Sequence, residues 1–122
     1  MTNVINWFEI PAKDLDRAAR FYEAVLGTTL RRERSPGTEM AVFPHGERHE
    51  PGGALVKRGA KPSASGTLVY LDARGDLDAA IARVEKAGGR VAVPRTDLGK
   101  DGAFAVVVDT EGNAVGLHVH AS

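Results

Sequence analysis

The sequence predicts an α+β fold in which two tandem βαβββ modules form a curved mixed sheet around a shared cleft, with the helices outside. The first observation is an internal repeat: DLDRAA at residues 14–19 returns 62 positions later as DLDAAI at residues 76–81. The second is that each copy opens an amphipathic helix, which a β-rich segment precedes and three more follow. A repeat at half the chain length indicates two similar units packed as a pair, with a site between them.

The first module is predicted to cover residues 1–57. Its opening strand, residues 4–10, stops at Pro11, which lacks a backbone donor. Asp14 is a good N-cap for the helix, and Gly27 can end it in the left-handed conformation. The remaining predicted strands are residues 28–32, 40–43 and 53–57, and the Gly-, Pro- and charge-rich segments 34–37 and 44–52 are predicted loops.

Residues 58–66, RGAKPSASG, are the predicted linker, and residues 67–122 form the second module. The β-rich segment 67–71 opens it, and Asp76 caps a helix that runs to Gly88 and Gly89. The last strands are predicted at 90–93, where Pro94 stops the first of them, at 104–108 and at 114–120, with a hairpin turn in the DTEGN segment before the final strand.

Composition excludes several classes of function. The 122 residues include 43% hydrophobic side chains, enough for one domain with a real core. Sixteen basic and sixteen acidic residues give no electrostatic reason to expect a nucleic acid or a membrane as partner. No segment approaches the roughly 20 apolar residues of a membrane span, and the first residues lack a signal-peptide pattern. Together with the absence of cysteine, these features predict a cytoplasmic protein.

Four segments carry a resemblance to a known family: WFEIP (7–11), FYEAVLG (21–27), LDAA (77–80) and DTEGNAVGL (109–117). In this order and spacing they resemble the vicinal oxygen chelate superfamily of glyoxalases, bleomycin-resistance proteins and extradiol dioxygenases. The resemblance covers nearly the whole chain and implies the paired fold described above. It is less specific for an activity, because one fold hosts many functions.

Metal-dependent members of that superfamily bind a divalent ion through four side chains, one on the first and one on the last strand of each module. Carried over to this chain, the positions fall on Trp7, Ala54, Leu68 or Val69, and Gly116. None of these side chains can ligate a metal. The resemblance therefore implies a glyoxalase-like member that lacks the usual ligands, and no cofactor is expected.

A displaced metal site is the alternative. His118 and His120 lie on one face of the last strand, and Glu9 is the reasonable third ligand. Such a site could hold Zn, Ni, Mn or Fe and would make the protein a lyase, isomerase or dioxygenase of the glyoxalase type. The competing interpretation is that the two histidines are solvated terminal residues. A metal site at His45 and His49 is less favoured than a mobile surface loop.

A third interpretation is a metal-free enzyme. Glu9 would act as general base if it faced an apolar cleft, and Tyr70 would donate a hydrogen bond to the ligand. A salt bridge or simple exposure is the alternative for Glu9.

The leading functional prediction is a binding protein with an apolar, aromatic-lined cleft for an antibiotic or a metabolite, acting as a homodimer. Some of the aromatic side chains could instead belong to the core, an interpretation favoured for Phe8 and Phe21. The predicted ligand-binding residues are Trp7, Glu9, Phe43, Tyr70, Phe104 and His118.

Overall fold

The computed structural model describes residues 4–35, 38–47, 50–57 and 61–121. In chain order the elements are β1 (Trp7–Pro11), α1 (Leu15–Leu26), β2 (Arg31–Ser35), β3 (Thr38–Val42), β4 (Gly52–Lys57), β5 (Tyr70–Asp72), α2 (Leu77–Val84), β6 (Arg90–Asp97), β7 (Ala103–Val108) and β8 (Ala114–Val119), with a 3-10 turn at Gly99–Asp101. The order βαβββ occurs twice, which confirms the predicted α+β fold of two modules.

Each module builds a four-stranded mixed sheet of the same topology. The first sheet has the order β1-β4-β3-β2 and the second the order β5-β8-β7-β6. In both, the first strand of the module runs parallel to the last, and the other neighbours are antiparallel. β1 and β5 therefore lie at one edge of their respective sheets, next to the last strand of their own module.

Both helices begin as their sequences predict, and α1 also ends as predicted. The Asp14 side chain accepts a hydrogen bond from the Arg17 backbone N–H, and the Asp76 side chain does the same for Ala79. Gly27 ends α1 with a φ of 66°, which only glycine adopts at little cost.

α2 ends at Val84, short of the predicted end at Gly88 and Gly89. It stops there because the chain tightens into turns in which the Gly88 N–H donates to the Glu85 carbonyl three residues back.

One hydrophobic core spans both modules. α1 and α2 each pack on their own sheet and also on each other. The buried side chains of the two modules consequently form a single cluster, in which Ile10 and Leu55 belong to the first sheet and Leu71 and Leu117 to the second. Residues on the opposite face of each sheet are left to line a surface outside this core.

Four strand predictions were wrong by three or four residues at one end or both. β1 starts at Trp7 instead of residue 4, and β5 starts at Tyr70 instead of residue 67. β6 continues through Pro94 to Asp97, because it is an edge strand with irregular pairing between Val91 and Thr96, where a missing N–H donor is tolerated. β2 starts at Arg31, not at residue 28. The Leu30 N–H donates to the carboxylate of Glu23 at 2.9 Å, which holds the chain in the turn that leaves α1.

Parts of other predictions lie outside the described residues. These are residues 58–60 of the linker, residues 36–37 of the first loop and residues 48–49, including His49, of the second. Among the described residues, no helix is long and apolar enough to cross a membrane.

Candidate functional site

The strand registers define which side chains share the sheet face opposite the helix. In the first sheet Glu9 pairs with Ala54, and Ala54 pairs with Val42. In the second sheet Tyr70 pairs with Gly116 and Asp72 with His118. Side chains alternate between the two faces along a strand. The residues of these pairs therefore lie on the face opposite the one that their immediate neighbours in sequence present to the core.

The four positions that correspond to the superfamily's metal ligands do not fit a metal. Trp7 presents an indole that is 42% exposed, and Ala54 is buried in a small apolar cluster. Leu68 lies two residues before Tyr70 and so on the same face of the chain, whereas Val69 packs against the core. Of the two candidates, Leu68 therefore occupies the ligand position that the superfamily has on the first strand of the second module. The fourth, Gly116, lies under the ring of Tyr70, which a Cβ at that position would overlap.

The displaced metal site is not assembled by this geometry. His118 and His120 do come together, with ring centroids 5.0 Å apart. Glu9 lies on the other sheet, where its carboxylate accepts a hydrogen bond of 3.2 Å from the indole of Trp7. Within the described part of the chain, no three His, Asp or Glu side chains are grouped so that they could hold one ion.

The two predicted catalytic residues occupy different surfaces. Glu9 is exposed, so the burial that would make it a general base is not found. Tyr70 is 51% exposed, and its ring meets that of Phe104 edge-on at 6.0 Å. We define the aromatic face as Tyr70, Phe104, His118 and His120, which follow one side of the second sheet.

A groove of about 840 Å³ runs between the two modules, beside the aromatic face. Its apolar walls come from Phe8, Phe43 and Tyr70, and its charged side chains are Glu50, Asp72 and Arg74. The full lining is Phe8, Leu26, Thr28, Phe43, Pro44, Gly46, Glu50, Pro51, Gly52, Gly53, Tyr70, Leu71, Asp72, Arg74 and His120.

The predicted ligand-binding residues divide into three groups. Phe43 and Tyr70 line the groove, although Phe43 is mainly a core residue whose ring packs against Phe8 and Tyr22. Phe104 and His118 lie on the aromatic face. Trp7 and Glu9 lie on the first sheet, where the Trp7 ring and that of His45 flank Gly52.

Most groove residues were not predicted to bind a ligand, and two of them are central to the site. Phe8 was assigned to the core, yet its ring covers Gly53 and reaches the groove. Asp72 follows Tyr70 by two positions, and strand alternation would have placed it on the same face once the register was known.

A buried polar network also joins the two modules. The Asp109 carboxylate accepts a hydrogen bond of 2.6 Å from the Tyr22 hydroxyl and further bonds from the backbone N–H groups of Glu111 and Asn113. Burial, followed by the charge of Asp109, raises the pKa of Tyr22 well above 10. The hydroxyl therefore stays protonated and can donate.

Glu111 is the second centre of this network. Its side chain is fully buried and accepts hydrogen bonds from the backbone N–H groups of Lys13 and Asp14 and from the guanidinium of Arg17, at 2.7–3.0 Å. Burial alone would raise the pKa of Glu111. The bonds from Arg17, Asp14, Thr110 and Lys13 outweigh burial and lower that pKa to about 2.

Comparison with protein families gives a match over most of the chain. The model of the Glyoxalase/Bleomycin resistance protein/Dioxygenase superfamily matches residues 4–117. A glyoxylase-like domain-containing protein of Didymella fabae is 32% identical over 113 residues, covering 89% of this chain and 88% of that protein. CFP32 of Mycobacterium tuberculosis, provisionally named a glyoxylase, is 32% identical over 121 residues, and the chain spans 44% of its length.

Solved structures show the same fold at lower identity. A glyoxalase/bleomycin resistance protein from Albidiferax ferrireducens superposes with a TM-score of 0.74 at 16% identity, covering 98% of this chain and all of that one. Glyoxalase I from Zea mays superposes with a TM-score of 0.71 at 22% identity, covering 93% of this chain and 44% of that one.

Proposed function

Because the chain belongs to the glyoxalase/bleomycin resistance protein/dioxygenase superfamily, we propose that it is a metal-independent binding protein for small molecules with a flat apolar part. The observation that carries this proposal is the groove between the modules, which the aromatic residues Phe8, Phe43 and Tyr70 line. Small-molecule sites are concave and combine apolar side chains with polar groups that orient the ligand. The groove combines aromatic and polar side chains at a volume suited to an organic molecule of moderate size.

Tyr70 is the residue on which the proposal depends most. Its ring is half exposed, lines the groove and packs edge-on against Phe104. Because Gly116 has no side chain, the ring packs directly over the backbone of β8 and leaves half of the Tyr70 surface exposed for stacking.

The substitutions at the superfamily's metal positions support binding without the superfamily's metal. An indole, a methyl group, an isobutyl group and a hydrogen atom replace the four ligands. The aromatic ring over Gly116 then takes the space that a carboxylate side chain would need. We accordingly assign no reaction step to a metal at these positions.

We extend the proposal to a homodimer located in the cytoplasm. The apolar side chains of Trp7, on β1, and Leu68, two residues before β5, are exposed, and a second copy would cover such surface. Analytical ultracentrifugation at micromolar concentration tests this part: a sedimentation coefficient for the monomer alone would contradict it. Fractionation of expressing cells tests the location: recovery of the protein outside the cytoplasmic fraction would contradict it.

The decisive test of binding is calorimetric titration with two probes: doxorubicin, a flat polyketide antibiotic, and the neutral compound 1-naphthalenemethanol. We expect saturable binding of at least one probe and a loss of about tenfold in affinity in Tyr70→Ala, because stacking on an aromatic ring is typically worth about 1–1.5 kcal/mol. If neither probe binds, the proposal is contradicted.

Leu98→Ala is the matched control. Leu98 is similarly exposed, at 44%, but does not line the groove. Its removal should leave both affinities unchanged. An equal loss in the two variants would indicate nonspecific contact with exposed apolar surface rather than a site at Tyr70.

A further inference from the structure

Two hydrogen-bond acceptors lie beside the exposed ring of Tyr70. Asp72 on β5 pairs with His118 on β8. Each lies two residues after the neighbouring pair, Tyr70 and Gly116. Both therefore lie on the side of the sheet that carries the Tyr70 ring. Asp72 lines the groove, and His118 lies beside Asp72 on the neighbouring strand.

The first acceptor is a nitrogen of His118. Its Nε2 lies 2.8 Å from the backbone carbonyl oxygen of Asp101. A carbonyl oxygen can only accept, so Nε2 carries the proton, and in the neutral ring Nδ1 is left as an acceptor. The fixed tautomer makes His118 a partner for a group that donates.

The second acceptor is the carboxylate of Asp72. One of its oxygens accepts the backbone N–H of Arg74 at 2.8 Å, which orients the side chain in a local turn. A carboxylate has about four acceptor sites, so this single bond leaves capacity for a ligand. Its charge makes it a strong acceptor for a cationic donor.

The remaining charges of the groove add one more carboxylate, that of Glu50, and one guanidinium, that of Arg74. Two carboxylates and one cation leave the wall of the groove negative. An aromatic ring next to carboxylates is also the environment that favours an organic cation, because the ring face attracts positive charge.

We propose that the ligand is an organic cation, in which a protonated amine or amidine that donates hydrogen bonds stands next to a flat apolar ring. The ring stacks on Tyr70, and the cationic group donates to Asp72 and His118. This inference rests on the proposed function and adds the charge and polarity of the ligand to it.

The test is a charge series on one ring system: 1-naphthylmethylamine as the cation, 1-naphthalenemethanol as the neutral compound and 1-naphthoate as the anion, each titrated calorimetrically at pH 7.5. We expect the amine to bind about tenfold more tightly than the alcohol, and the anion most weakly. In Asp72→Asn, which keeps an acceptor for the Arg74 N–H, the amine and the alcohol should bind within about twofold of each other.

Two further variants make the result specific. Glu85→Gln removes one exposed carboxylate outside the groove and should keep the preference for the amine, since it tests net charge alone. His118→Leu should weaken the amine about threefold to tenfold, because it removes one acceptor of the donated hydrogen bonds. A melting temperature within about 3 °C of the parent protein shows that each variant is folded.

The outcomes separate the two proposals. Equal affinity for amine and alcohol in the parent protein, with binding that Tyr70→Ala weakens, overturns the cation assignment and leaves the proposed function standing. A preference for the amine that survives Asp72→Asn also overturns the assignment. Failure of all three naphthyl probes to bind overturns the cation assignment, and failure of doxorubicin to bind as well contradicts both proposals.

Discussion

The two turns that precede the last strand of each module have opposite properties. The turn between β7 and β8, residues 109–113, is short and places buried carboxylates against α1. The corresponding segment between β3 and β4, residues 43–51, is longer, and its described exposed part borders the groove next to the start of α2. The closed junction, at residues 109–113, is thus filled by buried polar bonds, and the open junction, at residues 43–51, borders the groove.

The helices explain why the closed junction was not repeated. α1 supplies Arg17 and Tyr22 to the network, whereas the positions 62 residues later hold Ala79 and Val84, which have no polar side-chain groups. Duplication preserved the backbone while the two junctions diverged in chemistry. The comparison teaches that equivalent places of one duplicated fold can differ completely in polarity and burial.

The largest effect is expected at Asp109. Asp109→Ala removes the acceptor of Tyr22 and of two backbone N–H groups in a buried site, so we expect the free energy of unfolding to fall by about 3 kcal/mol. Urea denaturation followed by circular dichroism measures it. The control Asp78→Ala breaks an exposed ion pair with Arg95 and should cost no more than about 0.5 kcal/mol. A similar loss of unfolding free energy in both variants would contradict the role of the Asp109 bonds in stabilising the closed junction.

The next effect is a dependence of stability on acid pH. The folded pKa of Glu111, about 2, lies below its ordinary value of 4.5. The stabilisation, on the order of 3 kcal/mol, is therefore complete above pH 4.5 and is lost as the pH falls towards 2. Urea midpoints measured from pH 6 to pH 2 should fall less steeply in Glu111→Gln than in the parent protein. Parallel curves would show that Glu111 does not contribute in this way.

Tyr22→Phe tests a single bond of the same network. The ring contacts with Phe21 and Phe43 remain, and only the hydroxyl that donates to Asp109 is lost. We expect a loss of about 1–2 kcal/mol in the free energy of unfolding. The double variant with Asp109→Ala should lose less than the sum of the single variants, because the two side chains share the bond. Additivity would refute their coupling.

On the open side, Gly116→Ala should change binding more than stability. The new Cβ overlaps the ring of Tyr70, and because that ring is half exposed it can turn into solvent. We expect the unfolding free energy to change by less than about 1 kcal/mol, while the affinity for 1-naphthalenemethanol falls about tenfold. Unchanged affinity would show that the position of the ring over Gly116 does not matter.

The smallest effect is predicted for Glu50→Ala, in the turn of the open junction. The side chain is exposed and accepts the backbone N–H of Glu47. Its loss should change the unfolding free energy by no more than about 0.5 kcal/mol. A loss as large as that of Glu111→Gln would mean that the two junctions are energetically alike.

The duplicated fold was readable from the sequence because its signals are local. The caps Asp14 and Asp76 and the terminal Gly27 each act within a few residues, and the repeat fixed the order of the elements. The sequence left open whether Leu68 or Val69 occupies the ligand position. That depends on how β5 pairs with β8, a distant strand, which a local sequence pattern does not reveal.

The polar network was not readable for a different reason. DTEGN has the composition of an ordinary hairpin turn, and the partners of its carboxylates, Tyr22 and Arg17, lie 87 and 94 residues away. Similarly, the position of Phe43 in the core and of Asp72 at the groove depends on the packing of distant strands.

The bonds between Glu111 and the start of α1 also set an order of events during synthesis. The backbone N–H groups of Lys13 and Asp14 leave the ribosome 97–98 residues before the carboxylate that satisfies them. Contacts of such sequence separation form late and slow folding. In the nascent chain, the N–H groups of Lys13 and Asp14 therefore lack their Glu111 partner until residue 111 has been translated.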